Sequence, residues 1–192
     1  MLTNAFRKYL QQLTPISDKE FDDTVDFFKE QVLQKGDFFV TSGKVCQQVA
    51  FINSGTFRVF YLNEKGEDIT SCFCTSNNFT TSYKSFILQQ PSSLSIQAIE
   101  MSEILVIDYE GLQHLYSGYL TWQKIGRVLA EKEYIVMEQY ASVLSNETAK
   151  EKYLRLLMEQ PCIIQKAKVE HIASYLGVTR RTLSRIRREI SI

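Results

Sequence analysis

The chain has 192 residues, with 22 Lys and Arg against 22 Asp and Glu, 44% apolar and 23% charged. These are ordinary globular proportions, and they exclude a disordered or fibrous chain. With 8 Gly and 3 Pro there is no low-complexity linker, and no window approaches the roughly 18 apolar residues of a spanning helix. The zero net charge conceals an uneven distribution: ten Lys and Arg against four Glu leave +6 in 148–192, so 1–147 carry −6. A basic tail on an acidic body suggests a polyanionic partner. The first ten residues lack the apolar core of an export signal, which predicts a cytoplasmic chain with no membrane partner. Its four cysteines, at 46, 72, 74 and 162, are then expected to be reduced thiols.

A short helix is predicted over 3–12, with Phe6, Tyr9, Leu10 and Leu13 on one side, broken by Pro15. Asp18 reads as the N-cap of a second helix carrying Phe21, Val25 and Phe28. From about residue 30 the period shortens. Val32-Leu33, Phe38–Val40, Val49–Ile52, Phe57–Tyr61 and Ile69–Cys74 are short runs separated by Gly- and Asn-containing turns. Leu94–Ile99 and Ile104–Ile107 continue the series after a less regular stretch, 75–92, with a helical turn near Tyr83–Leu88. Even spacing of this kind marks a sandwich or barrel.

Beyond residue 109 the pattern is helical. Leu120–Leu144 is free of Pro and repeats apolar residues at threes and fours, with Leu129, Val136 and Val143 seven apart. That spacing predicts a helix-pairing seam between two copies of the chain, formed by Ile125, Val128, Leu129, Lys132, Ile135, Val136, Gln139 and Val143. Asn146-Glu147 is a candidate joint, followed by an amphipathic helix over 147–158 with Tyr153, Leu154 and Leu157 inward and Pro161 at its end.

The stretch 169–188 carries the most chemistry. Val169, Ile172, Ala173 and Leu176 form an apolar stripe, Gly177 suits a tight turn, and Thr179 can cap a second helix through its hydroxyl. Leu183, Ile186 and Ile190 then face inward, leaving Arg180, Arg181, Thr182, Ser184, Arg185, Arg187 and Arg188 outside. Five arginines on a helix after a glycine turn fit a DNA major groove, where guanidinium groups fork onto guanine or neutralise phosphates. The competing reading of such a run is a solvated charged face.

Taken in order, these segments resemble the Crp/Fnr family of bacterial transcription regulators over nearly the whole chain. The resemblance rests on Lys35-Gly36-Asp37, on Asn53-Ser54-Gly55-x-x-Arg58-Val59, and above all on Leu176-Gly177-Val178-Thr179-Arg180-Arg181-Thr182-Leu183-Ser184-Arg185. It implies an α+β chain: a jelly-roll-like antiparallel β-roll of the cyclic-nucleotide-binding type over 1–118, a dimerisation helix over 119–146, and a helix-turn-helix domain over 147–192. It also implies base reading by Arg180, Arg181 and Arg185, phosphate contacts from Thr179 and Thr182, and a double-stranded DNA partner contacted also through Ser184 and Arg188. A homodimer, RNA polymerase as a further partner, and an unidentified small-molecule effector follow from the same resemblance. Arg181 stands where many members have glutamate. Residues 161–169 leave little space for the family's winged hairpin, and Ile192 comes directly after the recognition helix, so a reduced or absent wing is expected.

Nucleotide-binding members hold the cyclic phosphate and ribose with a Gly-Glu pair and an Arg-Ser/Thr-Ala triplet. Here no arginine occurs between Arg58 and Arg127 and no acid between Asp68 and Glu100, so cyclic AMP binding by those contacts is not expected. A pocket for another ligand would draw on Phe79, Thr80, Thr81, Ser82, Tyr83, Ser92 and Ser93. Cys72-x-Cys74 places two thiols on one face of a strand without the four ligands a metal site wants. Two histidines, His114 and His171, and the lack of hydrolase or nucleotide-loop motifs argue against an enzyme, a metal site or a bound cofactor. The rival from another class is a β-roll that binds a small molecule or a protein and carries a basic tail with no DNA role.

Overall fold

The computed structural model describes residues 2–144 and 147–190, with side chains described for 3–138 and 147–190. Helix α1 (Leu2–Leu13) lays the fully buried Phe6 and Leu10 on the sheets, with the Phe6 ring 4.7 Å from Phe28 and 5.0 Å from Phe51. Helix α2 (Asp18–Val25) is capped one residue earlier than expected, by Ser17 instead of Asp18. The Ser17 hydroxyl accepts from the Glu20 amide at 3.2 Å while Glu20 reaches back to the Ser17 amide, a capping box that Asp18 at N1 cannot make.

Eight strands follow: β1 (Lys29–Leu33), β2 (Phe38–Val40), β3 (Gln48–Ser54), β4 (Thr56–Leu62), β5 (Asp68–Thr75), β6 (Asn78–Thr80), β7 (Ser95–Ala98) and β8 (Ser102–Asp108). They form two antiparallel sheets of four, ordered β1-β8-β3-β6 and β2-β7-β4-β5, packed face to face as a jelly-roll-like body. The irregular stretch 75–92 contains β6, three residues paired with β3 and too short to show alternation, and helix α3 (Tyr83–Leu88). At the β3–β4 turn Gly55 adopts φ +110°, and a Cβ there would sit 2.7 Å from the Ser102 Cα. No side chain fits that backbone or that space.

Helix α4 (Tyr109–Gly118), capped by Asp108, leads into α5 (Leu120–Leu144). The first turns of α5 belong to the roll: Trp122 and Ile125 are buried, and the Trp122 indole donates to Thr24 at 2.9 Å. Helices α6 (Ala149–Glu159), α7 (Pro161–Lys166), α8 (Val169–Leu176) and α9 (Arg180–Ile190) complete the chain. Pro161 opens α7 at N1, where its missing N–H costs nothing, so residues 161–166 are a helical turn and not a hairpin. In α6 the buried residues are Tyr153 and Leu156, whereas Leu154, expected inward, is 37% exposed.

Tyr153, Leu156, Ile163, Ile172, Leu176, Leu183 and Ile186 form a second core, separate from that of the roll. Each such aliphatic burial contributes about 2 kcal/mol. Phe73 of β5 and Ile99 of the roll close this core from outside the tail. No described helix is long and apolar enough to cross a membrane.

Candidate nucleic-acid interface

Helices α8 and α9 meet at Gly177, whose left-handed φ of +69° lets its amide and that of Val178 satisfy the last carbonyls of α8. Ala173, 3% exposed, lies where the two helices approach. The Thr179 hydroxyl accepts from the Thr182 amide at 3.2 Å and so caps α9. Val169, expected in the stripe, is 38% exposed because it opens the helix before the crossing.

On α9, Leu183 and Ile186 point into the tail core. Arg180, Arg181, Ser184, Arg185 and Arg188 are exposed and Thr182 half-buried. Arg181, Arg185 and Arg188 recur at four and three along one face, where with Thr182 and Glu189 they line a shallow cleft of about 450 Å³. Arg185 reaches Glu189 only at 3.9 Å, so its guanidinium remains 73% exposed. Arg187, expected on the outer face, instead lies over the Tyr153 ring at 5.7 Å and belongs to the underside. Ser184 donates back to the Arg180 carbonyl at 3.0 Å, and the Thr179 and Thr182 hydroxyls pair at 3.1 Å. These three hydroxyls are committed within the helix; the arginines carry the charge.

The tail rests on the outer face of β5. There Arg58 is buried to 1% exposure, with Nε donating to Thr70 at 2.7 Å and both terminal nitrogens to Asp68, at 2.6 and 3.2 Å. Its guanidinium also lies 4.3 Å from the Phe60 ring. The hydrogen bonds from Arg58 hold the Asp68 carboxyl below its ordinary range. On the facing helix, burial and then the Arg58 charge push the His171 imidazole down, and its Nδ1 is buried without a hydrogen-bond partner. His114 lies elsewhere, stacked on Phe27 at 4.9 Å.

The seven residues expected to line a ligand pocket divide among three environments. Phe79 packs among Tyr9, Phe51 and Phe6, in the roll core. Thr80 meets the Cys74 sulfur at 3.7 Å, Thr81 donates to the Gln48 carbonyl at 3.0 Å, and Ser92 donates to Ser82 at 2.8 Å, so these hydroxyls are used internally. Tyr83 and Ser93 face solvent. Cys72 and Cys74 are free thiols on the core side of β5, and the neighbouring Cys74 together with burial raises the Cys72 thiol.

The seam residues divide as well. Ile125 is fully buried in its own roll, which removes it from a surface shared with a second copy. Val128 and Leu129 are half-buried against the same core. Lys132, Ile135 and Val136 are exposed, joined by Tyr134 and Met137, each 70% exposed. Gln139 and Val143 lie outside the residues whose side chains are described.

Residues 30–119 match the cyclic nucleotide-binding domain family. The matched segment runs through the eight strands and helix α4, so it is the roll that is similar to this family. Three solved structures share the fold of nearly the whole chain. The Catabolite Activator Protein of Thermus thermophilus is 18% identical, over 95% of this chain and 86% of its own, with a TM-score of 0.61. The c-di-GMP-responsive global regulator CLP of Xanthomonas campestris is 14% identical, over 91% and 92%, with a TM-score of 0.71. A protein of Eubacterium rectale assigned to the Crp/Fnr family of transcriptional regulators is 19% identical, over 92% and 84%, with a TM-score of 0.68. No curated protein sequence matches the chain significantly. The chain therefore shares its fold, roll and tail together, with these three structures.

Proposed function

We propose that the protein is a homodimeric, DNA-binding transcription regulator that inserts α9 into the major groove of an inverted-repeat operator. The observation that carries this reading is the division of α9: Leu183 and Ile186 bury one side while Arg181, Arg185 and Arg188 are exposed on the other, Arg185 beside Glu189 at 3.9 Å. A helix so divided presents forked donors to guanine edges and positive charge to phosphates. Arg180, Arg181 and Arg185 read bases in this scheme and Arg188 meets phosphate, while Thr179, Thr182 and Ser184 reach the backbone by exchanging their internal hydrogen bonds for phosphate oxygens. The outer half of α5, through Lys132, Ile135 and Val136, pairs with a second copy and sets the two recognition helices about 34 Å apart. In this organisation the roll (1–118) senses, the helix (119–146) pairs, and the tail (147–192) binds DNA.

The segment 79–93 supports a role for an effector other than cyclic AMP, or for none, because it lacks a guanidinium for a cyclic phosphate and spends its hydroxyls internally. Contact with RNA polymerase would follow from promoter binding. The test is selection of bound sequences from a random duplex pool, followed by anisotropy titration of the selected site. Wild type is expected to enrich a two-fold symmetric sequence, and Arg181→Ala/Arg185→Ala to weaken it by about 100-fold or more, since each bidentate contact discriminates by about 1–3 kcal/mol. Enrichment of no sequence, or equal binding by the double variant, overturns the reading.

A further inference from the structure

Strand β5 is the last of its sheet, so one row of its backbone N–H and C=O groups has no neighbouring strand. Its pairing with β4 skips Ser71, since Val59 opposes Cys72 and Phe60 opposes Thr70. At this irregularity α8 supplies a single hydroxyl in place of a strand. The Thr70 amide donates to Ser174 Oγ at 2.9 Å, and Ser174 Oγ donates to the Asp68 carbonyl at 3.1 Å. Arg58 holds both β5 residues from beneath through the Thr70 hydroxyl and the Asp68 carboxylate. Tyr175 adds a ring contact to Phe73 at 5.7 Å, and Lys166 an ion pair to Glu100 at 2.8 Å. The tail is thus clipped to the free edge of the roll.

The clip decides what stands in front of α9. A cleft of about 660 Å³ has Glu67, Asp68 and Ile69 on one wall, and Ser174, Thr179, Arg180 and Thr182 on the other. The first turn of a recognition helix is the part that enters the groove. Here it faces the β4–β5 hairpin, whose exposed tip carries Glu64, Glu67 and Asp68 against Lys65. Arg58 offsets Asp68 and Lys65 offsets one of the other two carboxylates, which leaves the hairpin net negative, with Glu67 on the cleft wall to repel a phosphate brought alongside Arg180. We infer that Ser174 is the catch of an autoinhibitory contact: with α8 clipped to the β5 edge the hairpin bars DNA from the start of α9, and DNA binding requires the catch to open. The inference rests on the DNA-binding reading above and names how that site is held closed.

The experiment uses the full chain and the variants Ser174→Ala and Glu67→Gln. Alanine is the better helix former, so the first keeps α8 while removing both hydrogen bonds. Hydrogen exchange of the Thr70 amide reports the clip without reference to DNA. Anisotropy with a fluorescent mixed-sequence duplex reports binding. Ser174→Ala is expected to speed Thr70 exchange and to tighten DNA binding by about tenfold, the factor that one to two net hydrogen bonds supply. Glu67→Gln is expected to tighten binding by a smaller factor that shrinks with added salt, while leaving Thr70 exchange unchanged. Unchanged Thr70 exchange in Ser174→Ala overturns the catch itself. Faster exchange with equal or weaker DNA binding overturns the inhibition and leaves the DNA reading standing. Absence of DNA binding by every variant overturns both.

Discussion

At the scale of single residues, Arg58 and His171 show how the roll and tail share charge. His171 faces Arg58, Asp68, Lys168 and Glu170, and burial with the Arg58 charge lowers its pKa below the ordinary 6.5. The folded protein therefore binds fewer protons than the unfolded chain just below pH 6.5, and stability rises with pH across that window. Denaturant midpoints of the wild type are expected to fall as pH drops from 7.5 to 5.5, and those of His171→Gln to fall less. Equal slopes would show that His171 is hydrated in the fold. Gly177 and the Thr179 cap were legible in the sequence because local backbone rules govern them. The placement of Arg187 over Tyr153 and the exposure of Val169 depend on where α6 and the helix crossing lie, which spacing within one segment does not contain.

Among the elements, the long and periodic ones were legible, and so were the short β2 and α3, but β6 and α7 were not. The bounds of α5 match the uninterrupted apolar pattern at both ends. The three-residue β6 and the single turn of α7 have too few residues to display a period. The pattern on α5 also concealed a division of labour. Trp122 and Ile125 serve the roll, while Ile135 and Val136, 51% and 42% exposed, stand clear of it. Ile135→Glu/Val136→Glu should consequently convert a dimer to a monomer in light scattering while far-UV circular dichroism shows the roll still folded. In the same variant, affinity for a two-half-site duplex should fall by about 100-fold or more, as bivalent engagement is lost. A wild type that scatters as a monomer contradicts the pairing assigned to this helix.

Over the whole molecule, a strand-rich sandwich or barrel and the arginine helix could be read from the residues and the jelly-roll-like class from the resemblance, but the joint between roll and tail could not. It is made by residues far apart in the chain, such as Thr70 and Ser174, 104 positions apart, and by Phe73, whose neighbours in sequence serve another core. Strand β5 alternates at this point: Cys72 and Cys74 turn toward the roll interior, and Phe73 between them turns toward the tail. One backbone ribbon is thereby a wall common to two hydrophobic interiors. Its loss would empty both together, so scanning calorimetry should record one endotherm for the intact protein, and a mutation confined to the small C-terminal bundle should shift the melting of the sheets along with it.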